Sequence, residues 1–281
     1  MTWTSDDPPD SHQIPVSGWI RVILRGIVLI TLVFCGLFIL LLIRLIERPA
    51  FGLGRPVTPY VTQFVCRNAL RIIGITYQTS GKPMAGHGAI VANHSSWLDI
   101  FVLNARKRIY FVSKSEVASW PGIGWLARAT GTVFIARNRK EAGTQVKVFQ
   151  DRLNAGHKLL FFPEGTSTDG RRVLAFKPTL FAAFFAPELR ETLSIQPVSV
   201  VYQAPNGMDP RFYGWWGDMD FGPHFLAVLA VQKHGSVHVV YHDPIPVSDC
   251  PNRKDMAAKA HNIIRHSVEQ RLLGQNHSNA E

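Results

Sequence analysis

The sequence predicts an α/β domain with a central sheet, preceded by a helix that associates with a membrane. Three observations carry that prediction. From about Gly81 short apolar runs alternate with helical stretches, an uncharged apolar segment precedes them, and 46% of the 281 residues are hydrophobic. That apolar content excludes a disordered chain, and the length suffices to bury a full core. Against 20 Asp and Glu stand 30 Lys and Arg, a formal charge of +10. Such a balance favours anionic partners: lipid headgroups, phosphorylated cofactors, acidic carrier proteins or nucleic acid. Cys35, Cys66 and Cys250 are odd in number, far apart and outside any CxxC motif, which argues against a disulfide framework or a zinc site. They read as reduced thiols of a chain that works in the cytosol.

Residues 1–16 read as a flexible N-terminus and 17–48 as a membrane helix. Within the latter, Gly26 to Ile43 carries no charge over 18 residues, about 27 Å as a helix. No small-residue cleavage site comes after it, so a removable signal peptide fits poorly. A helix apolar on every side needs lipid or protein all round it. Spanning and lying in one leaflet both fit. If it spans, the bias of Arg44, Arg48, Arg55, Arg67 and Arg71 over Arg21 and Arg25 puts the rest of the chain in the cytoplasm. Residues 49–80 hold an amphipathic helix and a linker. Over Tyr60 to Ile73, Val61, Phe64, Val65, Ala69 and Ile72 keep helical spacing, with Gln63, Arg67 and Arg71 opposite. That face suits an anionic bilayer surface, and equally a helix packed on the domain with its arginines in water.

In the globular region, residues 81–250, strands are expected at Ala89–Ala92, Ile109–Val112, Thr132–Ile135, Leu159–Phe162, Ile195–Tyr202 and Val237–Tyr241. Helices are expected at Trp97–Ala105, Trp120–Ala129 and Glu141–Asn154. Residues 251–281 form a last helix, periodic from Met256 to Leu273, and a polar tail.

Chemistry concentrates where two of the strands end. In Asn93-His94-Ser95-Ser96-Trp97-Leu98-Asp99, five helical steps would point His94 and Asp99 about 140° apart. They meet only if His94 lies in the turn before the helix and folds back over its first turn, with Ser95 and Ser96 as cap residues. Asp99 would then accept from one imidazole nitrogen and raise the basicity of the other. An ordinary helix cap is the plainer reading. In Phe162-Pro163-Glu164-Gly165-Thr166-Ser167, Glu164 is expected to be exposed and able to hold hydroxyl or ammonium groups, or else to sit in a simple turn. In Gly131-Thr132-Val133-Phe134-Ile135-Ala136-Arg137, with Arg139 and Lys140 beyond, the cations can hold a phosphate or stand solvated.

Together and in this order, NHSSWLD, GTVFIAR, FPEGTS and IQPVSV resemble the four blocks of the glycerolipid acyltransferase family, the lysophosphatidic acid acyltransferase-like group, over about Ala89 to Val201. The resemblance implies a central mixed sheet flanked by helices, and transfer of a fatty acyl group from a thioester to a lysolipid hydroxyl. It implies His94 as base and Asp99 as its orienter, with Arg137, Glu164, Gly165, Thr166, Arg171 and Lys177 binding substrate. No acyl-enzyme, metal or resident cofactor is implied; an acyl carrier protein or coenzyme A thioester is the co-substrate. The family's third block commonly reads EGTR, whereas Ser167 stands here and removes a phosphate ligand that Arg171, Arg172 or Lys177 can replace. FPEGTSTDGRR and the later Trp215-Trp216-Gly217-Asp218-Met219-Asp220 are similar to the branch that acylates lyso-ornithine and related amino-acid lipids. That implies bacterial membrane lipid synthesis at the inner membrane, with the catalytic domain on the cytoplasmic side.

Acylation of lysophosphatidic acid is the alternative reaction, and a non-catalytic basic membrane-binding protein is the alternative class. Nucleic acid is not an expected partner, because the charge is spread along the chain and no recognised motif appears. Gly122 to Ala127 matches a dinucleotide fingerprint in form only, since no convincing strand precedes it. His238 and His242 are expected to be structural for want of a third ligand. Arg106-Lys107-Arg108 or Arg139-Lys140 offer a docking surface for an acidic carrier protein or the coenzyme A phosphates.

Overall fold

The computed structural model describes residues 2–5, 13–120, 122–135 and 142–278. Helix α1 (Val16–Phe51) runs for 36 residues, well beyond the uncharged core of the segment. Its buried positions, Gly18, Val22, Gly26, Leu29, Gly36, Leu40 and Glu47, form one stripe. The stripe packs on α2 (Thr58–Ile73) and α7 (Phe221–Ala230). The rest of α1 stays apolar and exposed, as at Ile27, Phe34, Phe38, Leu45 and Ile46. Water does not stabilise such a face, and lipid does.

Arg21 and Arg25, counted from the sequence as charges flanking the apolar segment, have partners inside the domain. Arg21 Nε donates to the Ala230 carbonyl at 2.6 Å, and Arg25 Nη1 donates to those of Leu229 (2.9 Å) and Val231. Both guanidiniums are spent on the carboxyl end of α7, whose last carbonyls lack helical partners. At the other end of α1, Glu47 is buried. It accepts the amides of Val57 and Thr58, the Thr58 hydroxyl, and Arg44 at 3.1 Å. This one carboxylate fastens the turn between α1 and α2. The latter helix packs on the domain, with Arg67 Nη2 donating to the Ala105 carbonyl at 3.2 Å, while Phe64 and Tyr60 remain exposed.

The chain continues through β1 (Thr76–Gly81), β2 (Gly88–Ala92), α3 (Asp99–Arg106), β3 (Tyr110–Lys114), α4 (Ile123–Thr130), β4 (Val133–Ile135), α5 (Ala142–Asn154) and β5 (Leu159–Phe161). After them come a 3₁₀ segment (Pro178–Phe185), α6 (Pro187–Arg190), β6 (Ser194–Gln203), α7, β7 (Ser236–Tyr241), β8 (Ile245–Pro246) and α8 (Arg253–Ser278). The mixed sheet runs β1-β7-β6-β2-β5-β3-β4, with β8 on β6. Strands β6, β2, β5, β3 and β4 are mutually parallel, and β7 is antiparallel to β6. One core lies between the sheet and α1, α2, α3 and α7; a second lies on the other face under α5, α8 and the 3₁₀ segment. Each of the six expected strands lies within two residues of an observed one. The sequence reading lacks β1, an edge strand with one face in water and no apolar run. It lacks α7 as well, a ten-residue apolar helix whose N-cap Asp220 makes no side-chain capping bond and whose first turn holds Gly222 and Pro223, residues that read as a turn. A 3₁₀ turn (Ser115–Ser119), not a strand, comes before Gly122, so the fingerprint context is absent.

Candidate active site

Parallel strands β2 and β5 end side by side, and the turns that leave them interlock. The first turn is clamped by Asn93: its Nδ2 donates to the Val200 carbonyl and its Oδ1 accepts the Val200 amide, both at 2.8 Å. The side chain thus imitates one more residue of sheet pairing with β6. His94 comes next in the turn, and Asp99 opens α3. His94 Nδ1–H donates to Asp99 Oδ2 at 2.8 Å, the fold-back that the spacing requires. The same oxygen accepts the amides of Ser95 (2.9 Å) and Ser96 (3.1 Å). Ser96 Oγ accepts the Leu98 amide at 3.4 Å, as expected of a cap residue, but the shorter capping bonds run the other way. The carboxylate at the helix start takes the turn's amides, which moves the start of α3 from Trp97 to Asp99.

Asp99 has no exposed surface, and its second oxygen accepts the Tyr202 hydroxyl at 2.7 Å. Burial, and then the neighbouring Asp99 charge, hold the Tyr202 phenol well above its ordinary range, so it remains a donor. The His94 ring is 21% exposed and stacks on Phe162 with centroids 4.0 Å apart. With Nδ1 committed to Asp99, Nε2 is the nitrogen left for a substrate. Tyr202, Asn93 and Phe162 were not singled out from the sequence. Phe162 and Asn93 carried a signal in their places, just ahead of Pro163 and Glu164 and just ahead of His94; Tyr202 carried none.

Glu164 corrects the sequence reading. It is 1% exposed rather than open to substrate. Its Oε1 accepts the His94 amide at 2.8 Å and its Oε2 the Leu174 amide at 2.7 Å. Burial pushes its carboxyl up to about 8, against the pull of those two donors and with help from the Asp99 charge. Its visible work is to hold the turn that carries His94. Two further bonds do the same: the Thr168 amide donates to the His94 carbonyl at 3.0 Å, and the Trp215 amide to that of Ser95 at 2.8 Å.

Gly165, at φ +73°, lets Lys177 cross directly over the loop; a Cβ there would lie 2.6 Å from Nζ. Lys177 is exposed, Thr166 and Arg171 are half-buried, and Ser167 is buried. Arg171 lies near Asp169 and Asp209, whose charges offset part of the burial that lowers its pKa. Arg172 pairs with buried Asp169 at 3.0 Å. Residues 2–5, expected to be flexible, lie here too: the Trp3 amide donates to Thr166 Oγ1 at 3.3 Å, and Arg172 stands 5.0 Å from the Trp3 ring centroid. Arg137, with Arg139 and Lys140, lies outside the described residues. Arg106, Lys107 and Arg108 precede β3 at the other end of the sheet from His94.

Trp97 links the turn to α7. Its indole N–H donates to His224 Nδ1 at 2.9 Å, and His224 Nε2 donates to the Phe212 carbonyl at 3.2 Å. His238 and His242 bond to Ser80 and Ser199 respectively. Among the described residues no three His, Cys, Asp or Glu side chains gather as metal ligands would. Chemically, the site offers a carboxylate-oriented imidazole, one nitrogen open, at the mouth of a parallel sheet.

A family model described as Acyltransferase matches residues 74–201. The chain is 53% identical over 269 residues to a lyso-ornithine lipid O-acyltransferase of Rhodobacter capsulatus, covering 96% of this chain and 98% of that one. It is 40% identical over only 105 residues to a 1-acyl-sn-glycerol-3-phosphate acyltransferase of Neisseria gonorrhoeae, covering 36% and 41%. The crystal structure of the 1-acyl-sn-glycerophosphate (LPA) acyltransferase PlsC from Thermotoga maritima superposes with a TM-score of 0.54 at 18% identity, over 88% of this chain and 97% of that one. That likeness is one of fold.

Proposed function

This chain belongs to the acyltransferase family, and we propose that it moves a fatty acyl group from a thioester to the free hydroxyl of a lyso-ornithine-type lipid in bacterial membrane lipid synthesis. The near full-length similarity to the Rhodobacter capsulatus protein carries the choice of acceptor. Ser167 supports it: no cation stands at the position after Thr166, so a zwitterionic amino-acid headgroup suits the loop better than a phosphate monoester.

In this reading His94 Nε2 takes the proton from the acceptor hydroxyl while its oxygen attacks the thioester carbonyl. Collapse of the tetrahedral intermediate breaks the C–S bond, and the imidazolium returns the proton to the leaving thiolate. Asp99 fixes the tautomer and stabilises the imidazolium; general base help of this kind is worth roughly 10²–10⁴ in rate. The hydroxyl is itself the nucleophile, so no acyl-enzyme forms, and the activated thioester needs neither a metal nor a resident cofactor. Thr166, Gly165, Arg171 and Lys177 surround the loop after β5, where a headgroup beside His94 would lie; Arg137 is proposed with them on the family resemblance alone. Glu164 acts from beneath as a positioning residue. Acyl carrier protein or coenzyme A supplies the thioester. Lys107 and Arg108 are poor steering groups for either, being a strand's length from His94.

The enzyme works at the cytoplasmic face of the inner membrane, where acyl thioesters are found. Helix α1 lies along one leaflet rather than crossing it, because its buried stripe is packed from Gly18 to Glu47 on elements of the domain. Crossing would carry exposed Arg67 and Arg71 of α2 into hydrocarbon. The test offers the purified protein one labelled acyl thioester with lyso-ornithine lipid and lysophosphatidic acid at equal concentration. Labelled ornithine lipid as the main product supports the assignment; labelled phosphatidic acid as the main product removes it.

A further inference from the structure

A cavity of about 590 Å³ opens at the end of the sheet opposite His94. It is enclosed by the turn between α1 and α2 and by the segments that enter β2, β3 and β5. Arg55, His87, Lys107, Arg108, His157 and Lys158 line it, and no Asp or Glu does among the described residues. Glu47, whose charge supports that of Arg55, is not among the lining residues, and its oxygens are already bonded to Val57, Thr58 and Arg44. Burial, reinforced by a neighbouring positive charge, lowers the pKa of both Lys107 and Lys158. Lys107 and Lys158 face like charges, which disfavour each other, and an anion between them relieves that.

His157 points the same way. It is 4% exposed, packed on the Tyr110 ring at 4.1 Å, and neither ring nitrogen makes a hydrogen bond of normal geometry. The Leu53 backbone favours its proton only weakly, and burial with the Arg152 and Arg55 charges keeps the ring neutral, its pKa lowered to about 3. A buried polar group without a partner is costly, and a ligand acceptor would supply one. Beside the cavity Phe51, Leu53, Val57 and Tyr60 are about half exposed or more, and Phe51 continues the bare apolar face of Leu45 and Ile46 on α1. The basic opening therefore sits at the level where that face would meet bilayer headgroups.

We propose that this cavity is a binding site for the phosphate of an anionic glycerophospholipid headgroup, separate from the acyl-acceptor site and seating the α1–α2 turn on the bilayer. The apolar rim selects a lipid over a free phosphate ester. Five residues of β2, about 17 Å at strand rise, separate the cavity from His94 and keep its occupant out of the reaction. The proposal rests on the membrane reading of α1 but not on the acyl-transfer chemistry, and its readout is binding.

The experiment tracks thermal unfolding of the full chain in neutral detergent during titration with dihexanoyl phosphatidylglycerol, dihexanoyl phosphatidylcholine or inorganic phosphate. The phosphatidylglycerol raises the midpoint saturably and the other two do not at equal concentration. In the Lys107→Gln/Lys158→Gln double variant the half-saturating concentration rises about tenfold or more, as the loss of two charge-assisted contacts requires. The single variants each show about a threefold rise, and they carry the test if the double variant fails to fold. No shift with phosphatidylglycerol, an unchanged half-saturation in the variants, or an equal shift with inorganic phosphate overturns the proposal.

Discussion

Replacing Asp99 by Asn separates charge from shape at the centre of the site. The native carboxylate takes four donors: His94, Ser95 and Ser96 on Oδ2, and Tyr202 on Oδ1. In Asp99→Asn the amide oxygen must occupy the Oδ2 position, because an NH₂ there would face three donors. The amide nitrogen then meets the Tyr202 oxygen, whose hydroxyl rotates to accept it. Every bond survives in some form and His94 keeps its tautomer, so the loss is the negative charge. A unit charge about 4 Å from an imidazolium, at an effective dielectric near 20, is worth about 4 kcal/mol. That corresponds to roughly 10³ in rate, and the neutral bond that remains returns part of it. Initial rates of acyl transfer at saturating thioester and lysolipid should show kcat reduced about 10²–10³-fold, with KM within about threefold. The unfolding midpoint should hold or rise, since a buried carboxylate is removed. A fall in kcat of less than about tenfold would refute the reasoning and leave Asp99 as a brace for the turn.

Tyr202→Phe strips one donor from the buried Asp99 carboxylate and loosens its hold on the His94 turn; initial-rate assays should show kcat reduced roughly three- to tenfold with KM little changed. Glu164 holds its proton up to about pH 8 when folded and to about 4.5 when unfolded. The unfolded chain therefore binds fewer protons between those values, and stability declines as pH rises through that window. In Glu164→Gln the plot of unfolding midpoint against pH should flatten there; an unchanged slope would mean another group governs it. At Gly36 an added methyl runs into Val65 Cγ2, whereas at Gly26 it meets Leu229 at an ordinary 3.7 Å. Gly36→Ala should cost about 1–3 kcal/mol and Gly26→Ala nothing. Equal midpoints for the two would contradict the packing of α1 on α2.

His94 and Asp99 were legible because both lie within one turn, where spacing alone limits how they can meet. Strands β2, β5 and β6 were legible because each is an apolar run buried on both faces or nearly so, and β7 because its buried residues alternate along one face. What sequence could not give depends on distant partners. Tyr202 reaches Asp99 from β6, 103 residues on, and Asn93 clasps Val200 across 107. Arg21 and Arg25 looked like membrane flanks because their true partners, carbonyls at the end of α7, lie more than 200 residues later. Glu164 misled for a related reason. Pro and Gly on either side mark a turn, but nothing local reveals that the turn is roofed by the loop from Thr168 to Leu174 and floored by His94. The family blocks are legible as motifs; that the third braces the first belongs to the fold.

The central claim is that the His94 imidazole makes a lipid hydroxyl the attacking group. The most direct measurement is the acyl-transfer rate of His94→Ala with labelled thioester and lyso-ornithine lipid, alongside its unfolding midpoint and its binding to vesicles. A fall of roughly 10²–10⁴-fold in kcat with fold and membrane binding intact is expected. Native-like turnover by that variant would contradict it.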